Sequence, residues 1–205
     1  MANFATVADI EAFLQVEITD ADQITSANRA LTEATAAIKN YCHQELEYMA
    51  DDDITVDSAG GSRIFLPELP VLEVTVVVED GETLTEDDDY KLGQHGILHR
   101  QPDGQKWAGG IQIITVTYSH GYSIIPDDII AVCVRAAARA FQAGLRAAED
   151  EATLGVRAKS LGDYSVTYGS EQGGGGGEGV MGASAARMLL LSEKDMLDKY
   201  RIIGP

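Results

Sequence analysis

A switch of period constrains this chain most. Between two stretches of helical spacing lies a segment, residues 54–125, in which short β-branched runs alternate with turn residues. On its amino side Ile24, Ala27, Leu31, Ala34, Ile38 and Tyr41 recur at steps of three and four. That spacing predicts an amphipathic helix from the "TDAD" start at 19–22 to about residue 47. On its carboxyl side "IPDDIIAVCVRAAARAFQAGLRAA" returns to helix: Pro126 suits a first turn, and Asp127 and Asp128 favour the positive end of the helix dipole. The order predicts an α+β fold, a small helical bundle with an inserted antiparallel β-sheet, a β-arm and a C-terminal docking helix. The expected divisions are N-terminal helices over 1–50, the β insertion over 51–125 and the long bundle helix over 126–150. A β-arm and glycine-rich flap over 151–179 and a docking segment over 180–205 complete them.

Local chemistry sharpens the elements. Thr6 with Asp9 three residues on marks a helix start that puts Ile10, Phe13 and Leu14 on one face. Ile64–Leu66 and Val71–Val78 read as strands separated by "PELP", where Pro67 and Pro70 deny ladder donors. Asp80-Gly81 has hairpin-turn chemistry, and Gly96–Arg100 and Ile111–Tyr118 complete a small sheet, one face of which Trp107 is expected to cover. Further on, Tyr164, Val166 and Tyr168 alternate with Ser165 and Thr167 before the run Gly173, Gly174, Gly175, Gly176, Gly177, each glycine expensive to order. Ser192, with Asp195 three residues later and Leu191 and Met196 as a staple, predicts a short terminal helix with Met196, Leu197, Tyr200 and Ile203 as its apolar contacts. So short a helix is marginal alone and needs a surface to dock on.

The long helix should have two characters. Ile130, Cys133, Ala137, Ala140, Phe141 and Gly144 share one face, and Arg135, Arg139 and Arg146 cluster on the opposite one. Small residues at 136, 137, 140 and 144 would let another helix approach closely. The basic face is either solvated or meets acids on a neighbouring copy. The formal net charge is −18, and residues 1–100, with 21 acids against 5 bases, carry most of it. Such a balance argues against a nucleic-acid-binding surface, which needs clustered Lys and Arg to displace counterions. It keeps a protein soluble, lets unlike faces of copies attract, or lets an assembly's inner wall repel DNA.

The search for chemistry is short. No apolar run approaches the roughly 20 residues of a membrane span, and the N-terminus, without a basic residue before its apolar positions, is not expected to be a signal peptide. Cys42 and Cys133 read as small buried apolar residues rather than a disulfide or a site. His43, His95, His99 and His120 lack helical metal spacing, although His95 and His99 would share a strand face as a zinc pair. The acids at 51–53 and in "TEDDDY" read as solvated turn acids, lacking the spacing of a calcium loop. There is no nucleophile elbow, and the glycine run lacks the lysine of a phosphate loop. The chain is therefore expected to be no enzyme and to need no cofactor. His120 in "YSHGY" is expected to be structural, with Gly121 turning the chain.

The opening "ATVADIEAFLQVEITDADQITSANRALTEATAAIKNYCHQ" resembles the first two helices of the head-to-tail connector (adaptor) proteins of long-tailed bacteriophages. "LPELPVLEVTVVVEDGETL" followed by "DDYKLGQHGILHR" resembles that family's β insertion, and "ITVTYSHGYSIIPDDIIAVCVRAAARAF", the most specific piece, resembles its strand, turn and Ala/Arg-rich helix. "SLGDYSVTY" and "LSEKDMLDKYR" complete the series, whereas the glycine run departs from the pattern. The resemblance implies a non-enzymatic ring, usually twelvefold, in the virion neck beneath the portal. Such a ring extends the DNA channel and joins the head to the stopper and tail. The implied partners are the portal protein, a stopper or tail-completion protein and further copies of the chain, assembled in the host cytoplasm. DNA passes without sequence-specific binding, and no membrane is involved. On this reading Leu191, Met196, Leu197, Tyr200, Arg201 and Ile203 dock on the portal, Arg135, Arg139 and Arg146 form a stripe between subunits, and Gly173–Gly177 are a hinge. The alternatives are another neck or tail-completion protein, or a ligand-binding β module built on 54–125.

Overall fold

The computed structural model describes residues 2–151, 158–161, 164–167 and 188–202. Tyr168, Gly173–Gly177 and Ile203 lie outside the described residues. The chain divides into two compact units, Met1–Ala37 with Ala131–Lys194 and Ile38–Ile130 with Asp195–Pro205, taken in turn below. The α+β expectation holds.

Helix α1 (Val7–Leu14) begins where its sequence dictates. The Thr6 hydroxyl accepts the Asp9 N–H, and the Asp9 carboxylate accepts the Thr6 N–H at 2.7 Å, a complete capping box. Ile10 is buried while Phe13 is exposed. Asp20 then caps α2 (Ala21–Cys42), its Oδ1 accepting the Asp22 and Gln23 N–H groups at 3.0 and 3.1 Å. In the first unit α2 approaches α3 (Asp127–Glu151) closely: the Thr35 hydroxyl accepts the Phe4 N–H at 3.2 Å and lies 3.6 Å from Cys133 Sγ. A β-carbon added at Gly144 would sit only 3.9 Å from Ser26 Oγ, so the small residues of α3 do admit a neighbouring helix. Ala27, Leu31 and Ala34 on α2 and Val132, Ala136, Ala137 and Phe141 on α3 are buried.

Contrary to the periodicity, α2 stops at Cys42 and not near residue 47. His43 takes a left-handed conformation, φ 57°. The next residues are claimed by the far end of the β region: Tyr122 donates its N–H to the Leu46 carbonyl at 2.9 Å and accepts the Tyr48 N–H at 3.1 Å. A tertiary ladder outbids local helix preference there.

Among the described residues the second unit carries seven strands: β1 (Met49–Ala59), β2 (Arg63–Phe65), β3 (Val71–Glu79), β4 (Glu82–Leu84), β5 (Tyr90–Leu92), β6 (Ile97–Arg100) and β7 (Gly109–His120). They form two antiparallel sheets rather than the single one expected, in the orders β1-β7-β3-β4 and β2-β6-β5. Asp80 and Gly81 make the β3–β4 hairpin with φ of 49° and 84°, the two left-handed residues that match strand twist. The acids at 51–53 are strand residues and not turn acids: β1 alternates, with Asp51, Asp53 and Asp57 outward and Asp52, Ile54 and Val56 half-buried. The two sheets share one core of Ile64, Leu66, Val74, Val77, Tyr90, Leu98, Trp107, Ile114, Val116 and Tyr118. Trp107 is only 1% exposed, with the Arg100 guanidinium 5.5 Å from its ring centre. In the first unit, β8 (Ala158–Leu161) and β9 (Tyr164–Thr167) pair as an antiparallel hairpin.

Candidate functional site

The terminal segment is short, polar at one end and aromatic at the other. Helix α4 spans Leu191–Leu197 and tightens into a 3₁₀ turn over Asp198–Tyr200. Its start differs from the sequence reading: the helix begins at Leu191, and Ser192 lies exposed inside the first turn. Glu193, not Ser192, supplies the cap, accepting the Leu190 N–H at 2.9 Å. Its carboxylate is 2% exposed and receives both terminal nitrogens of Arg139 at 2.6 Å. Arg139 also donates to the Met188 carbonyl at 3.0 Å. The planar fork of arginine matches the carboxylate and fixes where the helix starts.

The second half of the segment, Asp195–Ile202, folds back on its own unit. Tyr200 donates its hydroxyl to Asp128 Oδ1 at 2.7 Å, and the Lys199 ammonium reaches Asp128 Oδ2. The Tyr200 ring meets Tyr122 edge-on, with centroids 5.8 Å apart. Gln44 donates its side-chain amide to the Tyr200 carbonyl and accepts the Leu69 N–H, joining tail and β region. The Ile202 N–H donates to the Cys42 carbonyl at 3.0 Å, Tyr41 donates its hydroxyl to Asp198, and the Arg201 guanidinium stacks 5.4 Å from the Tyr41 ring. Of the residues singled out in the sequence, Leu197 is fully buried, Tyr200 and Met196 are half-buried, and Arg201 and Leu191 are exposed.

Protonation bears on this latch. Burial pushes the Asp128 carboxyl up, but hydrogen bonds from Lys199 and Tyr200 outweigh it and hold the group below its ordinary value of 3.8. A carboxyl lowered in the folded state stabilises above its unfolded value and loses that contribution as pH falls through the folded one. Burial and the bond to Asp128 raise the Tyr200 phenol, and its bonds to Asp128 and Tyr200 raise Lys199. Both therefore contribute below their unfolded values and lose that contribution as pH rises. The protection factor of the Ile202 amide should stay level between about pH 5 and 9 and fall below about pH 4 and above about pH 10. Asp128→Asn should lower the plateau and remove the acid limb.

The three arginines of α3 differ in their surroundings. Arg135 and Arg146 are exposed, whereas Arg139 is turned onto Glu193 of its own chain. His120 is 1% exposed, its Nε2 3.3 Å from Asp52 Oδ2 and its ring 5.1 Å from that of Tyr118. Gly121 after it turns at φ 83° and donates its N–H to the Pro70 carbonyl at 3.0 Å. The "YSHGY" segment is thus a structural corner.

Both cysteines are free and buried. Burial and the Asp198 charge push the Cys42 thiol up to about 11, and burial raises Cys133. Thiol reagents at pH 8 should therefore label native protein at least about tenfold more slowly than denatured protein. His95 and His99 do not share a strand face: His95 sits in a 3₁₀ turn at φ 59° before β6 begins, and the His99 ring lies over Gly93. Among the described residues no group of three His, Cys, Asp or Glu is arranged to hold a metal ion.

Sequence reasoning passed over Asp128, Gln44, Tyr41 and Glu193. Each looks ordinary in its own segment, and its partner lies tens of residues away. In the sequence Asp128 is legible only as a dipole acid, which it also is, since it accepts the Ile129 N–H at 3.0 Å.

The sequence matches the model of the head completion protein family over residues 3–135. The chain belongs to that family, and the resemblance to phage head-to-tail connectors is borne out. No curated protein matches its sequence. Its fold is similar to that of a chain from the neck of an empty gene transfer agent particle computed with C6 symmetry, with 13% identity, TM-score 0.52, 97% of this chain and 90% of that one covered. Looser matches are to the neck of the native particle computed with C12 symmetry (13% identity, TM-score 0.44) and to the native virion (13%, 0.45), each covering 97% of this chain and 89% of the other.

Proposed function

We propose that the chain is a head-to-tail adaptor: copies form a ring beneath the portal, extend the DNA channel and present a surface to the stopper and tail. Membership of the head completion family over residues 3–135 carries this reading. The fold shared with a neck chain of a gene transfer agent particle supports it. Charge supports it as well, because a chain at −18 gives exiting DNA no cationic grip. The terminal segment is the portal contact. Leu197 and Tyr200 hold it to its own chain, and Arg201 and Leu191, being exposed, are the side chains it offers outward, with Met196 beside them. Arg135 and Arg146 face a neighbouring subunit.

Portal-bearing heads and isolated tails, each incubated with purified chain and sedimented, test this. Binding to heads, lost in Arg201→Glu with its circular dichroism unchanged, is expected. Binding to tails alone would instead favour a tail-completion protein, and binding to neither would overturn the adaptor reading.

A further inference from the structure

Strand β1 runs for eleven residues, and among the described residues it pairs only with β7, so its other edge is open. The register is regular over Asp52–Val56 and shifts on either side, which leaves a straight five-residue edge. That strand carries Asp51, Asp52, Asp53 and Asp57 and no base. Two such edges repel each other, a usual way of preventing self-pairing, yet the same charge favours a strand bearing cations.

The chain contains such a strand. The β8–β9 hairpin is a pair of four-residue strands whose ladder partners, among the described residues, are each other, Ala158↔Thr167 through Leu161↔Tyr164. An isolated hairpin of this size is marginal in water and needs a third strand or a covering layer. Its strands hold one charge, Lys159 in β8; in sequence Arg157 precedes it and Asp163 lies between the two strands, so the segment 157–167 carries a net single positive charge. The register sets Lys159 opposite Val166 and Leu161 opposite Tyr164. Among the described residues the other open edges of the two larger sheets, β4, β2 and β5, are three residues each, shorter than β8.

We infer that β8 of one copy adds to the open edge of β1 in a second copy, extending its four-stranded sheet to six strands and tying neighbouring subunits together. The inference rests on the ring reading and names its subunit contact. Length, open ladder groups on both sides and opposite charge agree on the pairing.

Amide exchange over residues 49–59 tests it, measured on the full chain as a dilute monomer and after assembly on portal-bearing heads. Outward β1 amides should slow at least about tenfold on assembly. In a variant whose residues 158–167 are replaced by a Gly/Ser segment of equal length, that slowing should be absent, and Lys159→Glu should raise the concentration needed for assembly at least about tenfold. Assembled chains whose β1 amides exchange as in the monomer, or stay protected without the hairpin, would overturn the pairing and leave the ring intact. Protection already present in the dilute monomer would show an intramolecular contact and also overturn it. A native chain that never assembles removes the ring and the pairing together.

Discussion

Gly121→Ala will leave the chain without a stable fold. Gly121 sits at φ 83°, and a β-carbon built there falls 2.2 Å from the Glu47 carbonyl oxygen, 2.6 Å from its carbon and 3.1 Å from the Tyr48 nitrogen. These are backbone atoms and cannot swing aside as a side-chain tip would. They are held on both sides, by the Tyr122 N–H on the Leu46 carbonyl and by the Tyr48 N–H on the Tyr122 carbonyl. Relieving the clash means opening the junction that ends α2 and starts β1. Left-handed alanine alone costs roughly 1–2 kcal/mol, and the clash takes the total beyond about 4 kcal/mol, much of a small domain's stability. Gly81 is the control: its φ is 84°, but nothing lies within 4 Å of its added β-carbon. Gly81→Ala should lower the unfolding free energy measured by urea titration by about 1–2 kcal/mol, whereas Gly121→Ala should give little soluble folded protein. Equal losses at the two positions would refute the steric account.

Trp107→Ala should be the next most damaging change. The indole is the largest fully buried side chain in the unit and lies among residues of both sheets, with Arg100 over its face. Arg100 in turn pairs with Glu79 at 3.1 Å, and Glu79 accepts the Ala108 N–H at 2.6 Å, so ring, cation and strand end form one connected set. Truncation leaves a cavity and uncovers the guanidinium, a loss of about 3–5 kcal/mol by denaturant titration followed by circular dichroism. Trp107→Phe should lose roughly half of that. A Trp107→Ala loss under about 1 kcal/mol would mean the two sheets do not share a core.

These two positions show what the sequence made legible. Where the determining contact is local, reading succeeded: Thr6 and Asp9 cap α1, Asp80-Gly81 turns β3 into β4, and the run after Pro126 becomes α3. Where it is distant, reading failed or stopped short. Nothing near His43 announces that Tyr122 will take residues 46–48 out of a helix, and nothing in "DDDITV" says that β7 will make the acids a strand. Ser192 is a good cap by type, yet Arg139, 54 residues from Glu193, decides the matter. The tail's aromatic and basic residues stood out by type, but their anchors Asp128, Gln44 and Tyr41 became visible only once the chain was folded.

The central claim is that copies of this chain close into a ring around a DNA passage between head and tail. Electron microscopy of the neck from assembled particles measures it directly. The account predicts a closed ring of this chain under the portal, with a central opening wide enough for duplex DNA and the terminal segment on the portal side. Single copies scattered on the particle, or a ring found only at the far end of the tail, would contradict it.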